Sequence, residues 1–228
     1  MTMRTLRIRK LTLTAMLCAI AYVVMAVGRI PVVEFLSYDP KDVIICIGGF
    51  LLGPLTAFVI SVVVSLVEMV TVSSTGPIGL LMNIISTCAF ACTASLIYQK
   101  KRSMAGAVMG LAAGCATMAA AMMLWNYLIT PLYMGYPREA VAELLIPMFL
   151  PFNLLKGGLN FAVTVLLYKP VSLALSRAGL LYAEDHGESC ADSEMRKKTW
   201  RPNIGMLLFG LLLLASCILL LLAFKGVI

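Results

Sequence analysis

The residues best equipped for chemistry in this 228-residue chain share one apolar stretch, Pro147-Met-Phe-Leu-Pro-Phe-Asn-Leu-Leu-Lys-Gly-Gly-Leu-Asn160. On a helix at about 100° per residue, Lys156 falls about 60° from Asn153, and Asn160 about 20° from it on the same side. Phe149 and Gly157 lie within about 40° of Asn153 on the same wheel. One face thus carries two amides, an ammonium, an aromatic ring and a gap without a side chain. An ionised lysine at mid-membrane costs about 2.5–3.5 kcal/mol, so such a stripe needs a reason. One reason is a cavity for a flat, polar, hydrogen-bonding molecule. The other is that Lys156 reaches the interface on its aliphatic stem while the asparagines bond neighbouring helices. Three strong hydrogen-bonding heads on a narrow stripe exceed what helix packing requires.

Other polar residues sit where polarity is expensive. Trp125-Asn126-Tyr127 closes an apolar run. Its aromatics suit the interfacial belt, whereas Asn126 does not and is free to meet a ligand edge. Ser61, Ser65 and Glu68 fall within about 60° of one another on a helix. Glu68 either pairs with a base such as Lys156 or stands near the outer end. Ala15 and Ala19 form a small-x-x-x-small pair, which permits close approach by another helix. Catalysis finds little support, because the only His is His186 in a polar segment and no D-D-x-x-D-like run exists. The seven cysteines include no C-x-x-C pair and read as small buried hydrophobes. No phosphate-binding G-x-x-x-x-G-K-[ST] loop occurs, so any uphill transport draws energy from a partner or an ion gradient.

The elements that must position these residues follow from composition. The chain is 61% hydrophobic and 13% charged, with mean hydropathy +0.96. Those values describe an integral membrane protein. Apolar runs at 11–28, 41–52, 55–72, 77–98, 104–128, 147–168 and 204–224 predict an all-α, polytopic membrane helical bundle. The 41–52 run is short for a span. Asp39-Pro40-Lys41-Asp42 reads as an N-cap residue, a proline at the first helical position and an acid in the first turn. Gly53-Pro54 and Ser74-Thr75-Gly76-Pro77 read as turns between helices. The basic start (Arg4, Arg7, Arg9, Lys10) resembles a signal peptide, but the hydrophobic segments that follow favour a retained first helix.

Charge placement sets the orientation. With a cytoplasmic N-terminus, the cytoplasmic pieces hold those four residues, Lys100, Lys101 and Arg102, and Lys169, Arg177, Arg196, Lys197, Lys198 and Arg201. That is thirteen of 18 basic residues. Basic residues favour the cytoplasmic side, so the net charge of +7 marks membrane orientation and no nucleic-acid surface.

Four stretches carry a family likeness: Leu11-Thr-Leu-Thr-Ala-Met-Leu-Cys-Ala-Ile20, Leu36-Ser-Tyr-Asp-Pro-Lys-Asp42, Ser73-Ser-Thr-Gly-Pro-Ile-Gly79 and Phe152-Asn-Leu-Leu-Lys-Gly157. On these the chain resembles the substrate-binding S components of energy-coupling factor (ECF) transporters, in their riboflavin-specific branch, over about residues 1–176. The resemblance implies a six-helix core that captures riboflavin from outside the cell membrane, with no cofactor and no enzymatic activity of its own. It implies partners, a transmembrane T component and two ATPase subunits, met through the Ala15 and Ala19 face. Asn126, Asn153 and Lys156 match the family's flavin-holding positions, and Tyr38 and Asp39 match its first outer loop. Ser74, Thr75 and Gly76 would add donors at a helix N-terminus, a place that also suits the phosphate of flavin mononucleotide. Asn160 and Glu68 complete the expected substrate-binding set. The departure from the family is the polar linker at 177–203 and the extra C-terminal transmembrane helix within 204–228. Another vitamin (thiamine, biotin or pantothenate) and a membrane-embedded lipid-modifying enzyme stand as alternatives.

Overall fold

The structure, a computed structural model, describes residues 3–33, 36–72, 76–135, 137–177 and 204–224. Helix α1 (Met3–Gly28) leads into a hairpin, β1 (Ile30–Val33) and β2 (Leu36–Tyr38). Then follow α2 (Lys41–Leu52), α3 (Pro54–Thr71), α4 (Gly76–Lys100) and α5 (Met104–Met134). A short α6 (Arg138–Leu144) passes through one π-helical turn (Leu145–Phe149) into α7 (Leu150–Arg177), and α8 (Ile204–Phe224) closes the order. The all-α bundle expected from hydropathy is present. Five described stretches are long and apolar enough to cross a membrane: Arg7–Gly28, Pro54–Thr71, Gly76–Lys100, Met104–Leu132 and Arg138–Val171.

The short 41–52 run is a helix, but a core one. Its 12 residues reach only about 18 Å at about 1.5 Å per residue, short of the ~30 Å hydrocarbon layer. Nine of its residues, from Lys41 to Phe50, are buried, so α1, α3, α4 and α7 enclose it on all sides. Gly49 is what lets them close in. A Cβ there would stand 2.9 Å from Ala57 Cβ and nearer still to Ser95 Oγ. Because lipid is as apolar as the helices, such small-residue contacts supply van der Waals packing where burial alone gives little preference. Around α2 the main core joins Leu17, Ile45, Phe50, Ile60, Phe90, Leu111 and Phe161.

Local details depart from expectation. Pro40, not Asp39, occupies the N-cap of α2, and no side chain caps it. The Asp39 carboxylate instead lies 3.5 Å from Arg29 Nε. Gly53 adopts φ 102°, which only glycine takes without strain, and Pro54 opens α3 as expected. The hairpin pairs Ile30 with Tyr38 in an antiparallel register, and neither it nor α6 was foreseen, both being too short for a periodic signal. Helix α8 runs antiparallel to α7, placing Cys217 against Gly158 and Gly210 against Leu166. It also enters a second apolar cluster with Val32, Tyr38, Phe149, Phe152, Leu155 and Leu159, and so reaches the hairpin end. Of the polar segment expected at 177–203, only Arg177, the end of α7, falls within the described residues.

Candidate ligand-binding site

A cavity opens at the hairpin end of the bundle, where five parts of the chain converge. Arg29 follows α1, while Ser37 and Asp39 come from the hairpin and the turn after it. Helix α4 gives Ile78, Gly79, Met82, Asn83 and Ser86; α5 gives Met122, Trp125, Asn126, Ile129 and Thr130; α7 gives Phe152, Asn153 and Lys156. The wall therefore mixes apolar and aromatic residues with nine polar or charged ones, a lining suited to a polar small molecule with an apolar body. Among the described residues no cluster of His, Cys, Asp or Glu suited to a metal ion occurs.

Two asparagines divide hydrogen-bonding work between them. The Oδ1 of Asn126 accepts from Thr130 Oγ1 at 3.1 Å, while its buried Nδ2 has no partner among the described residues. A buried donor left unpaired costs about 1–3 kcal/mol. The Nδ2 of Asn153 donates to its own helix, at Phe149 O, 2.8 Å away. Its Oδ1 remains to accept. Asn126 thus offers a donor, Asn153 an acceptor, and Lys156 a further donor.

Lys156 is held from behind. Its Nζ lies 3.4 Å from Asp42 Oδ2 and 3.5 Å from Ser86 Oγ. The sequence reading had a bound ligand offset the burial of this ammonium; the structure offsets it with a carboxylate of α2. Asp42 also accepts from Thr87 Oγ1 at 2.7 Å and from Asn160 Nδ2 at 3.2 Å. Glu68, for which pairing with a base such as Lys156 and a place near the outer end both stood open, pairs with a base, the fully buried Lys41. It accepts as well from Asn83 Nδ2 at 3.1 Å and lies 3.7 Å from Arg29 Nη1. Three cations (Arg29, Lys41, Lys156) therefore face three carboxylates (Asp39, Asp42, Glu68). Buried charges are tolerated in a membrane only when paired in this way. At Asp39, in the turn outside the spans, burial pushes the carboxyl up and Lys41, Lys156 and Arg29 pull against that rise.

Of the expected site residues, Asn126, Asn153, Lys156 and Asp39 line one cavity. Asn160, Glu68 and Tyr38 stand behind it. The first two belong to the ionic layer, and Tyr38 lies in the apolar cluster with Phe149 and Cys217. Gly76 begins α4 at φ 60°, two and three residues before the lining residues Ile78 and Gly79. Ser74 and Thr75 lie outside the described residues. Ala15 and Ala19 are both exposed on α1. Sequence reasoning missed Arg29, Asn83 and Ser86. The last two are polar residues three apart in an apolar run, the same signal that exposed Asn153 and Lys156.

With this geometry in place, likeness to known proteins becomes informative. The profile of the "ECF transporter, substrate-specific component" family matches residues 9–168. The chain belongs to this family, whose members are transporter components and not enzymes. Within it the chain is similar to the riboflavin transporter RibU of Staphylococcus aureus (strain TCH60), 28% identical over 177 residues, covering 74% of this chain and 93% of the relative. It is also similar to the riboflavin transporter FmnP of Bacillus subtilis (strain 168), 27% identical over 165 residues, covering 67% and 86%. A solved S component of a bacterial ECF transporter matches with a TM-score of 0.63 at 28% identity, covering 74% of this chain and 98% of that one.

Proposed function

We propose that this chain binds riboflavin, and flavin mononucleotide more weakly, in the cavity between the hairpin, α4, α5 and α7, and serves its uptake as an S component. The observation that carries the reading is the polar inventory of the wall: donors at Asn126 Nδ2 and Lys156 Nζ, an acceptor at Asn153 Oδ1. The pyrimidine edge of riboflavin presents an N–H between two carbonyls, one donor and two acceptors, which this set complements. Trp125, Phe152, Met82 and Met122 supply aromatic and polarizable surface for a flat tricyclic ring. The names of the relatives support the same ligand.

Membership of the ECF substrate-specific family supports a transmembrane T component and two ATPase subunits as the partners that energise transport. The exposed Ala15 and Ala19 give α1 a face on which another helix can approach closely. Residues 1–176 are the substrate-binding transmembrane domain, 177–203 a cytoplasmic linker and 204–228 an additional membrane helix. The site faces outward from the bacterial cell membrane and the N-terminus lies in the cytoplasm, by the distribution of basic residues.

Titration of the purified chain with riboflavin, followed by quenching of flavin fluorescence, tests the ligand. Saturable quenching that thiamine, biotin and pantothenate fail to reverse is expected. No quenching at saturating riboflavin, together with calorimetric binding of one of those three, would assign the site to another vitamin.

A further inference from the structure

Asp42 does not line the cavity, yet it is paired with a charged head that does, Lys156. It is fully buried in the first turn of α2, with zero exposure. Its two oxygens receive Thr87 from α4, Asn160 from α7 and, at 3.4 Å, the ammonium of Lys156. With α2 enclosed on every side, the carboxylate has no route to solvent that would let it leave Lys156.

The pair changes what the cavity can accept. A lone buried ammonium in a binding wall is an anion trap. An ammonium 3.4 Å from a carboxylate presents a short dipole, whose attraction for a distant charge falls off far faster than that of a single ion. The remaining cations are matched likewise, Arg29 by Asp39 and Glu68, and Lys41 by Glu68. The wall can donate hydrogen bonds to neutral carbonyls without carrying a surplus charge for a phosphate.

Resting on the reading of the cavity as a flavin site, we propose that Asp42 is a positioning residue that fixes and neutralises Lys156, and thereby sets the preference for uncharged riboflavin over its phosphorylated form. A purely structural role, tying α2 to α4 and α7, would make the same three contacts but would have no bearing on ligand charge. The two roles separate on selectivity.

The experiment measures dissociation constants for riboflavin and flavin mononucleotide, by fluorescence quenching, on the unaltered chain, Asp42→Asn, Lys156→Met and the Asp42→Asn/Lys156→Met double variant. The expected result is a ratio of the two constants that shifts at least threefold toward the phosphorylated ligand in Asp42→Asn and returns in the double variant. Equal weakening toward both ligands in Asp42→Asn, with an unchanged ratio, would overturn the proposal. So would a double variant as shifted as the single one. If Asp42→Asn cannot be purified folded, the double variant decides. Recovery of monodisperse protein on removing both charges supports the pairing, and failure to recover it contradicts the pairing. An unaltered chain that binds neither flavin would instead strike at the proposed ligand.

Discussion

The two faces of α7 are built on opposite principles. One carries Asn153, Lys156, Asn160 and Thr164 into the bundle, where directional bonds to Phe149 O, Asp42 and Ser86 fix three of them. The other carries Gly158, Ala162 and Leu166 toward α8, where the described contacts are close and steric. The first face gains specificity from charge and hydrogen bonding in a low-dielectric interior. The second gains adhesion from close approach, since burial against lipid or helix is nearly equivalent for apolar groups. On the proposed reading the polar face meets the ligand, and the small-residue face holds the element that no part of the family match reaches.

If that contrast is right, breaking the polar face should be far more damaging. Lys156→Met strands the fully buried Asp42 carboxylate. Loss of one partner of such a pair destabilises by about 3–5 kcal/mol, which thermal unfolding in detergent would register as a marked drop. A drop no larger than that of an exposed substitution would mean the pair contributes little. Gly158→Leu attacks the other face. A Cβ at that position already stands 2.9 Å from Cys217 Sγ, so overpacking should cost about 1–3 kcal/mol in stability. Flavin affinity should stay within about twofold, because the overpacked site faces away from the cavity. A collapse of affinity would show that α8 acts on the site through α7.

Finer tests sharpen the inventory of the wall. Asn126→Ala removes the unpaired donor and should weaken riboflavin by about 0.5–1.5 kcal/mol in a fluorescence titration, the usual worth of one neutral hydrogen bond. No change would remove Asn126 from the ligand contact. Ala15→Trp and Ala19→Trp should leave binding unchanged and abolish co-purification with the T component. Full assembly by both variants would move the docking face elsewhere.

Much of this was legible in the sequence because a membrane makes polar groups conspicuous. Asn126, Asn153 and Lys156 stood out for that reason, and they line one cavity. Pairing was not legible. Asn160 and its acceptor Asp42 are separated by 118 residues, and no local pattern tells Glu68 to choose Lys41 over Lys156. The enclosed position of α2 was equally hidden, since an apolar run of 12 residues reads alike whether it touches lipid or protein. The hairpin and α6 fell below the length at which periodicity speaks.

The central claim is most directly tested by extracting the purified, unaltered chain and identifying by mass spectrometry the small molecule it carries. The account predicts riboflavin, near one per chain. A different vitamin at that stoichiometry, or no bound flavin at all, would contradict it.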